Sequence, residues 1–480
     1  MLFNSYQFIF VFLPLLLIGW NILQKVHIKS ALVFLTLMSM WMYGSFDIRF
    51  LITIISTSLI TYLISYWLSR KKSKLILFAG IAFQLLVLGY FKYTGFFVDN
   101  VNAVFKTDIN FAQLFIPIGI SFYSFGQIAF LVDRYKEEIE HIDILSYFAY
   151  TLYFPKIMQG PIAFPKEILD QMFDEEKIKW NADRVLRGLI LFSIGLGKKV
   201  LLADYLGLVV DYLYSQVYYL DTLCVIMAGL TYAFQIYFDF SGYCDMADGI
   251  SRMLGINLPQ NFNSPYQAES AEDLWRRWHI TLNRFLIKYV YIPLGGSRKG
   301  KTRTLIHIMI IFTLSGLWHG AAWTYIVWGV MQGLTVIWDK VRPFKIGKKF
   351  GQVCTFAFFC FSMLFFRAKT LEESFVLIQK LFFFTWPGFT FRAVSNLKIS
   401  ELYVVREAVE MTSMQYSNIL YMIIYLLLIG ISFFVITRKN AYSFIEKKEF
   451  TKKELVGIAL TAALSILSLS RVQTYIYFNF

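Results

Sequence analysis

Long apolar runs separated by short polar stretches recur along the whole chain. They fall at about 8–23, 31–46, 50–68, 75–91, 111–131, 187–214 (broken), 222–241, 304–317, 321–338, 352–366, 418–437 and 455–470. A helix of roughly 20 apolar residues spans the ~30 Å hydrocarbon layer of a bilayer. Two further apolar stretches, about 144–158 and 280–293, are too short or too interrupted to cross and read as re-entrant. Irregular backbone at membrane depth is tolerated only where protein or a cavity surrounds it, so these two segments predict a cavity. The pattern predicts an all-α polytopic membrane protein, with about 11–12 transmembrane helices in one integral domain over residues 1–480. No internal repeat is visible.

The polar stretches between the runs are basic at Lys25/Lys29, Arg70–Lys74, Arg298–Arg303, Lys340–Lys349 and Arg438–Lys453. Positive loops stay in the cytosol. Placing all five there puts both termini outside. The first run follows MLFNSYQ, with no basic stretch and no small-residue cleavage site, and predicts a retained helix.

Composition agrees with the pattern. Of 480 residues, 57% are hydrophobic and 16% charged, against about 45–50% and about 25% in ordinary soluble domains. The net charge of +14 then reads as positive-inside topology and attraction to anionic lipid, and no nucleic-acid partner is expected. Cys224, Cys244, Cys354 and Cys360 are scattered in apolar surroundings. They read as small core hydrophobes, with neither a disulfide framework nor a metal site.

Five stretches carry candidate chemistry. In TLSGLWHGAAWTYIVWG, His319 lies within an apolar run, where an ionisable group is costly and marks a site by default. A neutral core histidine bonded to a carbonyl is the plain alternative. Gly316 and Gly320 have the spacing that lets helices pack closely. In EDLWRRWHITLNRFLIKYVYIPLGGSRKGKTR, the cations Arg276, Arg277, Arg284, Lys288, Arg298 and Lys299 surround His279 and alternate with aromatics. Such a surface suits a phosphorylated, adenine-bearing ligand, or else anionic lipid headgroups. Asp239, Asp245 and Asp248 in IYFDFSGYCDMADG suit capping and pairing with that basic stretch, and less well a metal. Lys156, in the break of LYFPKIMQGPI, reads as a snorkelling cation. The stretch YIYFNF, residues 475–480, is either an aromatic interface anchor or a working part.

In this order, SFYSFGQIAFLVDRYK, YFPKIMQGPI, YFDFSGYCDMADGISRMLGINLPQNFNSPY, RRWHITL…YVYIPLGGSRKGK and LSGLWHGAAWTYIVWG resemble the membrane-bound O-acyltransferase (MBOAT) superfamily. The likeness is nearest to the branch that O-acetylates bacterial alginate and peptidoglycan. The resemblance implies a helical bundle around a central tunnel that holds His319, with His279 as the branch's second histidine. It implies acetyl-CoA as cytosolic donor, a cell-envelope glycan as outer acceptor and a separate extracytoplasmic SGNH-type transferase as partner. YIYFNF resembles the FIYFxF motif of these systems, with Tyr477 as the matching tyrosine. Two positions depart from the pattern: Lys288 stands where an acidic residue is common, and Tyr475 where Phe is usual.

A relay gives the tail a purpose. CoA is too large and charged to cross, so the acetyl group needs a nucleophile that meets the tunnel from outside. A phenol, with a pKa of about 10, attacks when a base such as His319 takes its proton. Tyr475, Phe478 and Phe480 would then seat the carrier in an apolar slot. Trp386–Arg392 and the stretch after Leu397 are expected to dock the outer partner. The competing readings are D-alanyl transfer to teichoic acid, and a transporter of lipid-linked glycan built on broken helices.

Overall fold

In the computed structural model, residues 1–111, 114–140, 142–344, 346–386, 388–397, 399–411, 414–471 and 473–479 are described. Among them the fold is all helix and connecting loop, without a strand. Six helices are long and apolar enough to cross a membrane: Phe8–Val26, Ile48–Arg70, Lys74–Phe105, Thr222–Met253, Lys348–Arg367 and Tyr416–Thr437. The remaining expected runs also form helices, among them Ile28–Gly44, Ile120–Tyr135, Lys301–His319, Trp323–Val341 and Lys452–Leu467. The boundaries shift in three places, one of them the run at 222–241, whose helix continues to Met253. Lys74–Leu88 continues through a π-helical turn at Gly89–Tyr93 into Thr94–Phe105. Of the run at 111–131, the helix Ile120–Tyr135 begins after Gly119 turns the chain with φ of 73°.

Contacts sort the loops into two faces. On one face lie the ion pairs Lys72–Glu137 (2.9 Å), Lys288–Glu138 (2.7 Å) and Lys348–Glu269 (2.7 Å). On the same face Arg187 donates to the Lys447 carbonyl (2.7 Å) and Asn440 to Asn263 (2.7 Å). These loops carry the basic clusters. On the opposite face the N-terminal amine donates to Ser45 (2.8 Å), Arg367 pairs with Asp211 (2.9 Å), and Lys380 donates to the Leu220 carbonyl (2.7 Å). Phe46 touches Phe478 there, so both ends of the chain gather on one face.

Helix Thr222–Met253 is the central post. It is mostly buried, whereas the outer helices expose long apolar side chains such as Leu63, Leu86 and Leu427 to the lipid level. The two short segments lie inside. Residues 144–163 fold as Ile144–Thr151, Phe154–Ile157 and a buried extended stretch, and 271–291 as Ala271–Arg277, Ile280–Leu286 and a π-turn at Ile287–Tyr291. They are joined where the Ile162 amide donates to the Thr281 hydroxyl (3.0 Å). Lys156 does not snorkel. Its ammonium sits 3.5 Å from the centre of the Tyr150 ring, a cation–π contact inside the bundle.

Helices Lys301–His319 and Trp323–Val341 form a tight hairpin, and both glycines of the expected Gly316/Gly320 spacing abut the returning helix, Gly320 against the Tyr325 ring. Gly316 meets Gly329 of the returning helix. A Cβ on Gly329 would lie 2.4 Å from the Phe312 carbonyl oxygen, and one on Gly316 2.3 Å from that of Tyr325. The backbones touch, and only glycine permits it.

Candidate active site

Tyr477 comes to rest beside both candidate histidines. Its ring is 6% exposed, with centroids 5.7 Å from His319, 6.4 Å from His279 and 4.5 Å from Phe240. The two imidazoles are 6.1 Å apart. Lys92, Gly119, Ser121, Phe122, Trp318, His319 and Tyr477 enclose a void of about 10 Å³, which is room for about one water.

His319 ends its helix. It is 1% exposed and caged by Trp318, Trp328 and Phe366. Neither ring nitrogen has a hydrogen-bond partner among the described residues, so the plain reading of a carbonyl-bonded core histidine fails. An imidazole with two unsatisfied nitrogens is a costly object to bury. Two other histidines show the ordinary case: His27 caps a helix by accepting from the Lys29 amide, and His307 bonds the Gly296 carbonyl. His141 lies outside the described residues.

The carbonyls at the end of the His319 helix are taken by two side chains from the π-turn at Gly89–Tyr93. Lys92 donates to Trp318 O (2.5 Å) and Ser121 Oγ (3.2 Å), and Tyr93 to Leu317 O (2.8 Å). A cation at a helix C-terminus meets the negative end of the dipole. Lys92 therefore both fixes the end of the helix and lines the void.

The tail is held by charge. Lys199 is buried between Asp204 and Asp239, at 2.7 Å from each, and also donates to Thr474 O (3.2 Å). Asp239 accepts the Ile476 amide (3.1 Å). Tyr475 is fully buried, edge-on to Tyr243 and 4.8 Å beneath the Lys199 ammonium. The expected apolar slot is thus half ionic. Phe478 packs on Phe46 and Tyr475, and Phe480 lies outside the described residues. The aspartates do not pair with the basic stretch at 276–303. Asp239 and Asp245 take Lys199 and Lys198, and Asp248 takes Arg252 on its own helix. Packing of two long helices chose nearer partners.

A cavity of about 660 Å³ opens beside the tail on the face that carries both chain ends. Asp211, Tyr232, Gln235, Tyr325, Arg367 and Thr474 are among its walls. An apolar groove of about 360 Å³, lined by Leu85, Phe125, Phe285, Tyr289 and Trp318, reaches the other flank of the His319 helix.

The sequence model of the MBOAT family, membrane-bound O-acyltransferase, matches residues 30–371. The chain belongs to the membrane-bound O-acyltransferase family. It is 32% identical to a peptidoglycan O-acetyltransferase of Helicobacter pylori, over all of this chain and 98% of that protein. It is 31% identical to a probable alginate O-acetylase of Pseudomonas aeruginosa, over 80% of this chain and 76% of the relative. A teichoic acid D-alanyltransferase of Bacillus subtilis is 26% identical over 53% of this chain and 70% of the relative. The protein is therefore an enzyme, a multi-pass membrane acyltransferase.

Four of the six cations expected to bind a donor have acidic partners in this acyltransferase. Arg276 pairs with Glu272, Arg277 with Asp273 and Arg284 with Glu167. Lys288, the departure from the family pattern, sits between Asp133 (2.9 Å) and Glu138 (2.7 Å). Arg298 and Lys299 are exposed, with no ion-pair partner among the described residues. Sequence reading overlooked Lys92, Lys199 and the role of Asp239. The available signal was a lysine at membrane depth. Lys92, Lys199 and Lys288 each stand in a π-helical turn, a local widening that recurs at functional sites.

Proposed function

We propose that this acyltransferase moves acetyl from cytosolic acetyl-CoA across the membrane and delivers it for O-acetylation of a cell-envelope polysaccharide, peptidoglycan or alginate-like. The face bearing the basic loops is the cytosolic one, and both ends of the chain lie outside. The observation that carries the reading is the burial of Tyr477 beside His319 and His279, with ring centroids 5.7 and 6.4 Å away.

Tyr477 Oη attacks the thioester carbonyl, His319 takes the phenolic proton, and the C–S bond breaks to release CoA, whose thiolate recovers a proton. The product is acetyl-Tyr477. A hydroxyl on an outer acceptor, either an SGNH-type partner or the glycan itself, attacks this aryl ester and restores the phenol. The names of the relatives support acetyl over D-alanyl as the transferred group, because the acetylating ones align over most of the chain and the D-alanyl ones over about half. Incubating purified protein with labelled acetyl-CoA and measuring the intact mass of the C-terminal peptide tests this. A labelled adduct on Tyr477, absent from Tyr477→Phe, is expected. Normal envelope acetylation by Tyr477→Phe would remove the relay.

A further inference from the structure

His279 has left-handed backbone, φ 45° and ψ 49°, a conformation uncommon for a residue with a side chain and concentrated at functional sites. The turn drives the imidazole into the core, where it is fully buried. Its Nδ1 lies 3.2 Å from Asn261 Oδ1. Its Nε2 has no partner among the described residues, and the ring is surrounded by those of Phe240, Phe122, Trp318, His319 and Tyr477.

A histidine–asparagine contact is ambiguous until the amide's orientation is known. Here the neighbours decide it. Asn261 Oδ1 also receives the backbone N–H of Thr281 (3.2 Å) and the Thr281 hydroxyl (2.9 Å). The hydroxyl's own lone pair takes the Ile162 amide (3.0 Å). An amide N–H only donates, so the atom facing it must be the oxygen. Reversing the amide would set NH₂ against N–H. On its other side the Asn261 amide donates to Cys244 Sγ (3.5 Å), and the backbone carbonyl of Asn261 accepts the Ile280 amide (3.0 Å). With the oxygen fixed, the His279 nitrogen facing it must carry the proton.

We infer that Asn261 is a positioning residue that holds His279 as the Nδ1–H tautomer, with a bare Nε2 on a ring 6.1 Å from that of His319 and 6.4 Å from that of Tyr477. Asn261 does not touch the reacting groups. It sets which imidazole nitrogen is available as a proton acceptor, as the hydrogen bond on one ring nitrogen fixes the role of the other. The inference rests on the proposed acetyl transfer only for its catalytic consequence.

The test is nitrogen NMR of ¹⁵N-histidine-labelled full-length protein in lipid at neutral pH, with His279→Gln identifying the His279 signals. The Nδ1–H, bare-Nε2 pattern is expected. Asn261→Asp, which keeps an acceptor, retains it, and Asn261→Leu loses it. An Nε2–H pattern in the unaltered protein overturns the inference even if neither variant folds, and so does an unchanged pattern in a folded Asn261→Leu. Acetyl transfer is read in parallel. Asn261→Leu is expected to lower kcat about tenfold or more, with KM for acetyl-CoA unchanged and with recovery in Asn261→Asp. The expected tautomer without a change in kcat keeps the inference and removes His279 from the proposed chemistry.

Discussion

The ring of Tyr477 lies 5.7 Å from that of His319, and neither histidine nitrogen is bonded to anything else among the described residues. His319 thus holds its helix in place through packing, while its polar atoms remain free for a reacting group. His319→Gln is expected to lower acetyl transfer by about 10²–10⁴-fold, the usual worth of a general base. It leaves thermal stability in detergent nearly unchanged, since no hydrogen bond is lost. Steady-state rates beside a melting curve check both parts.

The tail's clamp predicts a separation of docking from chemistry. Lys199→Met leaves Asp204 and Asp239 facing one another in the core, and breaking such a buried group costs about 3–5 kcal/mol. The tail, whose backbone is tied to Lys199 and Asp239, is expected to leave its slot and become open to carboxypeptidase. A milder change, Asp239→Asn, keeps an acceptor for the Ile476 amide and should digest more slowly than Lys199→Met. Equal digestion of both variants and of the unaltered protein would mean that the clamp does not hold the tail.

The hairpin contact predicts a packing lesion with a catalytic readout. Gly329→Ala places a methyl 2.4 Å from the Phe312 carbonyl, and backbone cannot move aside as a flexible side chain can. The two helices must separate, which costs about 1–3 kcal/mol and displaces His319 at the end of the first. Lower melting temperature together with lower kcat is the expected result.

Of the six cations expected at the donor site, Arg298 and Lys299 have no acidic partner among the described residues, and donor binding should depend on them. Replacing Arg298 and Lys299 by Gln is expected to raise KM for acetyl-CoA several-fold and to flatten its dependence on ionic strength, with kcat kept. Replacing Arg276, which is exposed and already paired with Glu272, should do little. Exposed pairs are worth about 0–1 kcal/mol.

The outer segment that was expected to dock a partner has a distinctive surface. Trp386 is 85% exposed and Phe382 77%, while the neighbouring loop is pinned as Asp221 accepts the Gly388 and Phe389 amides (3.0 and 2.9 Å). Residues 387, 398, 412 and 413 lie outside the described residues. A photo-crosslinker at Trp386 is expected to trap an extracytoplasmic protein in intact cells, and capture of lipid alone would assign these rings to the membrane surface.

The apolar runs, their lengths and the basic loops determined by themselves that the chain is a helical membrane bundle, because the bilayer leaves few other solutions for such a pattern. The order of the five motifs and the lone histidine in LSGLWHG made the family and His319 legible in the same way. Tertiary structure alone decided what meets what. Lys92 and Lys199 were readable as lysines near apolar helices, but their partners are carbonyls and carboxylates contributed by distant segments. The basic stretch 276–303 looked like one surface, yet local acids at helical spacing and from other loops bind its first four cations. Charge patterns along a sequence record which groups exist. Which of them are left unpaired beside Tyr477 depends on long-range packing, and at membrane depth the unpaired groups define the site.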